Sequence, residues 1–102
     1  MIVNTQKIEK ITMQPTAITL CDIGGDWYKN ELEIEFIPDK TYPDYMVEQS
    51  WIMENIDGKR LNIEDVVNNI YTHLMEEYKP KELHIKDIVR GNKVHFDVIV
   101  EK

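Results

Sequence analysis

The sequence predicts an α+β fold: a four-stranded antiparallel sheet with two helices on one face, in the order strand, strand, helix, helix, strand, strand. Three observations carry this expectation. Glu31-Leu32-Glu33-Ile34-Glu35-Phe36-Ile37 alternates charge with apolar side chains at period two, which sorts them onto opposite faces of a strand. Ile63, Val66, Val67, Ile70, Leu74 and Tyr78 fall on one stripe of a helix. Two β-branched runs, Leu83 to Val89 and Val94 to Val100, flank a Gly91-Asn92 turn signal.

The totals narrow the class. A chain of 102 residues suits one domain, residues 1–102, with a core thin enough that assembly with further copies would help. Hydrophobic residues at 42% and charged residues at 30% describe a folded domain, not a disordered one. The net charge of −7, with no cluster of Lys and Arg, argues against non-specific binding to nucleic acid or to an acidic membrane. The single cysteine, Cys21, excludes an internal disulfide and a four-cysteine zinc site, and a free thiol suits a reducing compartment. The first residues, MIVNTQKIEK, lack the apolar run of a secretory signal. No window approaches the roughly 20 apolar residues that cross a bilayer. The cytoplasm is the expected location.

Taken in order, residues 1–4 read as loose, and TQKIEKITM (5–13) as a strand with Ile11 and Met13 on one face. Pro15 interrupts it, lacking an N–H for the ladder. Ala17 to Leu20 leads to Cys21 as a short extended segment or bulge. Gly24-Gly25-Asp26 turns the chain into the alternating strand, which Pro38-Asp39 ends. Pro43 fits the first turn of a helix over 44–56, with Met46, Val47, Ser50, Trp51 and Met53 on one face and Gly58 just past its end. Asn62 caps the second helix, with Asp65 three residues on, and Lys79-Pro80 stops it. His73 lies beside the apolar stripe and reads as a helix-surface residue.

A two-residue type II′ turn at Gly91-Asn92 would set Val89 opposite Val94, Lys86 opposite Asp97 and His84 opposite Ile99. Leu83, Ile85, Phe96, Val98 and Val100 then share the buried face. Asp87 falls on that face too, which counts against the register or marks an edge. The other face carries Glu33, Glu35, His84, Lys86, His95 and Asp97. Such a sheet is either exposed on that side or closes with neighbours into a wet barrel.

Few residues carry candidate chemistry. Cys21, just ahead of Gly24-Gly25, reads as a nucleophile if its thiol is activated, or as a small buried hydrophobe. Asp26 and Tyr28 could supply a proton, or serve as turn residue and packed aromatic. Glu64, in a first helical turn, suits two adjacent N–H donors, and the helix dipole favours it there without a ligand. His84, His95 and Cys21 match no compact metal motif, so no metal is expected. There is no Gly-rich phosphate loop and no serine-nucleophile elbow.

Pro15, Leu20-Cys21, Gly25 and Ile37-Pro38-Asp39 stand at spacings that resemble the NADPH-dependent nitrile reductases of queuosine biosynthesis, the QueF family. Glu64-Asp65 at the helix start, Pro80 at its end and Arg90-Gly91 extend the resemblance over about residues 15–91. It implies the tunnelling fold (T-fold), whose subunits join sheets into oligomeric barrels, and a purine-like ligand bound between subunits. It also implies reduction of the cyano group of 7-cyano-7-deazaguanine. Cys21 would attack the cyano carbon to give a thioimide, Asp26 would be the nearest acid, Glu64 would hold the base, and Glu48 and Arg90 would bind NADPH.

The departures are specific. Tyr28 stands where the family has its proton-donating Asp, and Ile63 where it has a His before the Glu. The nicotinamide-cofactor motif begins Glu-Ser-Lys with a second Lys after it; here Glu48-Gln49-Ser50-Trp51-Ile52-Met53 has neither Lys. Short archaeal relatives that also lack the motif add ammonia to the nitrile instead of hydride, but they keep the Asp. The alternatives are thus a nitrile-modifying relative that does not use NADPH, a non-catalytic binding or assembly module, and an ordinary monomeric α+β domain whose similarity is chance.

Overall fold

The computed structural model describes residues 1–21, 24–92 and 97–102. His95 and Phe96, and the Val94 half of the expected hairpin pairing, lie outside the described residues.

The sheet is built on β4 (Trp27–Ile37), whose alternation buries Asn30, Leu32, Ile34 and Phe36 on one face. One edge of β4 is lined by two short strands placed end to end. β2 (Ile11–Met13) pairs with Ile34–Phe36, and β3 (Thr16–Leu20) pairs with Trp27–Glu31. Pro15 separates them because it has no N–H to give, yet its carbonyl still accepts from the Leu32 N–H at 2.9 Å. The strand expected over 5–13 is thus confined to Ile11–Met13, and the segment after Pro15 is a true ladder strand, β3. The other edge of β4 pairs with β6 (Glu82–Gly91), which pairs with β7 (Asp97–Glu101), all antiparallel. Outside this sheet, β1 (Ile2–Val3) pairs with β5 (Thr41–Tyr42), so the chain start is tied down, not loose.

The C-terminal register departs from the expected one. Val89 pairs with Val98 and Lys86 with Glu101, a slip of four residues in the partner strand. β6 runs on through Gly91, opposite Tyr28, so Gly91-Asn92 is not a two-residue turn. An even slip leaves every side chain on its own face, so the apolar pattern could not detect it.

Two helices cover the buried face. α2 (Ile63–Tyr78) starts at Asn62, whose side chain accepts from the Asp65 N–H at 2.9 Å, and ends at Lys79 in the left-handed region. Its Val66, Val67, Ile70 and Leu74 meet Leu32, Ile34, Phe36 and Ile85 in one core, with Tyr78 edge-on to Phe36 at 5.9 Å. α1 (Tyr45–Asn55) is capped by Asp44, not opened by Pro43. Its inward face is Glu48, Ile52 and Ile56, four residues apart, with Trp51 half-buried. The expected apolar face is turned outward: Met46, Val47 and Met53 are exposed. A buried carboxylate set the helix phase, and a pattern scored on apolar residues alone missed it.

The outer face of the sheet is charged at one end. Glu33 pairs across with Lys86 and Glu35 with His84, and Lys10 Nζ is 3.4 Å from Glu35. Toward the other end exposed apolar residues, Ile18, Trp27 and Ile99, stand among the Lys29, Glu31 and Arg90 charges, with Ile88 opposite Ile99. Among the described residues no helix is long and apolar enough to cross a membrane.

Candidate functional site

Cys21 sits at the end of the β3–β4 hairpin. Its N–H donates to the Asp26 carbonyl at 2.6 Å and its carbonyl accepts from the Gly25 N–H at 3.3 Å, which closes the turn. Gly25 has φ +74, a conformation that glycine adopts without a Cβ clash. The thiol is half-exposed, not sealed in the core. β3 pairs Thr19 with Tyr28 and Leu20 with Trp27, so Cys21 and Tyr28 are diagonal neighbours on the helix-facing side of the sheet.

The Cys21 side chain is the leading reason the Tyr28 phenol is pushed above the ordinary range; burial, the negative charge of a Cys21 thiolate and that of Asp26 add to it. Tyr28 therefore keeps its proton beside Cys21. Sequence reasoning left Tyr28 between proton donor and packed aromatic. The usable signal was its parity with Asn30 and Leu32 on the buried face of β4. Asp26 contributes its carbonyl to the turn and its charge to Tyr28.

A strap after α1 brings the second helix to this place. Asp57 accepts from the Ile18 N–H at 2.8 Å, and Gly58, at φ +75, donates to the Ile18 carbonyl at 2.6 Å. Leu20 then donates to the Lys59 carbonyl at 2.9 Å and accepts from the Leu61 N–H at 3.2 Å, a short parallel pairing along β3. Leu61 precedes the Asn62 cap, so the N-terminus of α2 begins beside the Leu20-Cys21 step. Glu64 is exposed in that first turn, and its carboxylate belongs to the positive end of the helix. The sequence marked Cys21 and Glu64 separately; the strap that joins their neighbourhoods was not legible.

Behind Cys21 and Tyr28 the same face of the sheet stays polar. Thr19 and Asn30 are fully buried, with Asn30 Nδ2 donating to Thr19 Oγ1 at 2.9 Å and to the Ala17 carbonyl at 3.2 Å. Asp87 follows on β6, opposite Leu32 and Val100, in the middle of the sheet and 0% exposed. It marks no edge, and the register it counted against does differ, by an even slip that leaves Asp87 on the buried face.

Glu48 and Arg90 are not brought together within one chain. Glu48 is buried beneath the helices, where it accepts from the Tyr78 hydroxyl and lies 2.8 Å from His73 Nε2. Burial, then this hydrogen bond, pushes the Tyr78 phenol up. His73 is correspondingly not a surface residue: it is half-buried and stacked on Trp51, with ring centroids 3.9 Å apart. Arg90 pairs across with Lys29, and its Nη2 is 3.5 Å from Glu31. Phe36, in contact with Tyr78, is seven strand residues from Lys29, or roughly 23 Å. Among the described residues no three His, Cys, Asp or Glu side chains are grouped to hold a metal ion.

No family model matches the sequence, and no curated protein is detectably similar to it. Solved structures do match. One is the crystal structure of the archaeosine synthase QueF-like in the apo form, with a TM-score of 0.73 at 15% identity, over 93% of this chain and 94% of that one. The likeness shows that the two chains share a fold.

Proposed function

We propose that this chain is a T-fold protein that binds 7-cyano-7-deazaguanine or a related purine and captures the nitrile on Cys21. The observation that carries the reading is the Cys21–Tyr28 pair: a half-exposed cysteine diagonal to a phenol on one face of the β3–β4 hairpin, beside the start of a helix whose first turn presents Glu64. The QueF-like spacing in the sequence and the fold shared with an archaeosine synthase support a purine-like substrate.

The step is a simple addition. The Cys21 thiolate attacks the cyano carbon and forms a C–S bond, while one C–N π bond becomes a lone pair on nitrogen. That nitrogen takes the Tyr28 phenolic proton, giving a neutral thioimide and a phenolate that solvent reprotonates. The part of the raised Tyr28 pKa that comes from the Cys21 thiolate vanishes as the C–S bond forms. Tyr28 thus becomes more acidic as the nitrile nitrogen becomes basic. Glu64 would accept from two adjacent N–H groups of the base. Sheets of several copies would join through their edges, near the exposed Ile99 and Trp27, with the base at the seam between chains.

A dinucleotide phosphate would find no Lys or Arg over Glu48–Met53, and the Glu48 carboxylate is turned inward onto Tyr78 and His73. These residues do not fit NADPH. The second reading, a nitrile-modifying protein that does not use NADPH, is favoured by that same observation. A nitrogen nucleophile would then add to the thioimide carbon and release Cys21 as the leaving group.

Incubation with 7-cyano-7-deazaguanine followed by intact mass measurement tests the proposal. The expected product is one ligand mass added per chain. Ligand bound by calorimetry with no mass change, and with affinity unaltered in Cys21→Ala, would instead leave a binding module.

A further inference from the structure

On the helix-covered side of the sheet, away from Cys21, a groove of about 390 Å³ opens between α1 and the β2–β3 edge. Its size falls among small-molecule sites, which are roughly 300–1,000 Å³. Its floor is apolar, formed by Ile34, Ile52, Ile70 and Leu74, and Trp51 and Tyr45 contribute aromatic surface. The groove's only charged lining residue among those described is Glu48, itself 5% exposed.

That carboxylate is built in, not stranded. Tyr78 donates to Oε1 and His73 lies 2.8 Å from Oε2, while Trp51 fixes the His73 ring by stacking 6° from parallel. A carboxylate has about four acceptor positions. Among the described residues two are taken, one on each oxygen, which leaves one on each. The mouth carries Tyr45 and Met53, 70% and 62% exposed, as apolar surface that a ligand body would cover. A buried negative charge under apolar and aromatic walls repels anions and rewards a cation that brings its own apolar body.

We propose that this groove binds a small protonated amine with an apolar or aromatic body, its ammonium on Glu48 and its body against Trp51 and Tyr45. The site is separate from the one proposed at Cys21. Thr16 lines the groove and Cys21 lies five strand residues further on, or roughly 17 Å. The inference does not depend on nitrile chemistry.

2-Phenylethylamine and its neutral analogue 2-phenylethanol, titrated at pH 7 and followed by backbone amide shifts in two-dimensional NMR, test it. The expected result is saturable binding of the amine at least tenfold tighter than the alcohol, with shifts concentrated in residues 12–16 and 45–53. Glu48→Gln, shown folded by circular dichroism, should erase the preference. If that variant does not fold, the comparison of the two ligands on the wild-type protein still decides. Equal affinity for amine and alcohol, no binding at millimolar amine, or shifts centred on the β3–β4 turn would each overturn the assignment.

Discussion

Asp87 makes stability depend on pH in a direction opposite to the usual carboxylate. It is fully buried in a central strand, and among the described residues neither oxygen has a hydrogen-bond partner. Burial pushes its carboxyl from 3.8 up to about 7, with the nearby Glu31 backbone offsetting part of the rise. The unfolded chain sheds this proton near pH 3.8, whereas the folded chain holds it to about pH 7. Between those values unfolding releases a proton, so each unit of rising pH favours unfolding by about 1.4 kcal/mol. The contribution is fully present below pH 3.8 and is lost as pH climbs through about 7, a change of about 4 kcal/mol. Against a domain stability of about 5–15 kcal/mol, that is a large share. Asp87→Asn keeps the shape and cannot ionise. Urea denaturation of both proteins at pH 4, 5, 6, 7 and 8, followed by far-ultraviolet circular dichroism, reads the difference, in which all other titrations cancel. The variant's stability relative to wild type should rise by about 4 kcal/mol from pH 4 to pH 8. Parallel profiles would refute the account of Asp87 as an unpartnered buried acid.

Tyr28→Phe should bind the nitrile but form the thioimide about 10²-fold more slowly, since it removes the acid and leaves the ring; an unchanged rate by stopped mass sampling would remove Tyr28 from the step. Glu64→Gln should weaken calorimetric affinity for the purine by about 1.5–3 kcal/mol, the loss of a charged acceptor, and an unaltered constant would take Glu64 out of the site. Asn62→Ala should cost about 1 kcal/mol through the lost cap bond to the Asp65 N–H. That lowers the melting temperature by about 4–8 °C in a domain of this size, and no shift would mean that solvent replaces the bond.

Local chemistry made much of the fold legible. The β4 alternation, the α2 stripe, the Asn62 cap and the Pro15 break each act within a few residues, and each appears where the sequence places it. What was not legible depends on partners distant in the chain. The β6–β7 register slipped by an even number, invisible to period two. The inward face of α1 is set by Glu48, which only Tyr78 and His73, from the other helix, make tolerable inside. The candidate site divides in the same way. Cys21 stood out by its type and its turn, and Glu64 by its helical position. Their neighbourhood depends on Asp57 and Gly58 tying a strap to β3, and Tyr28 gained meaning only from the β3–β4 pairing.

Peptide-level mass mapping after exposure to 7-cyano-7-deazaguanine most directly probes the claim that Cys21 is a nitrile-capturing nucleophile. The predicted result is a single modified peptide with the added ligand on Cys21 in the wild type, and no modified peptide in Cys21→Ser. Ligand mass on any other residue, or an unmodified Cys21 at ligand concentrations that saturate binding, would contradict it.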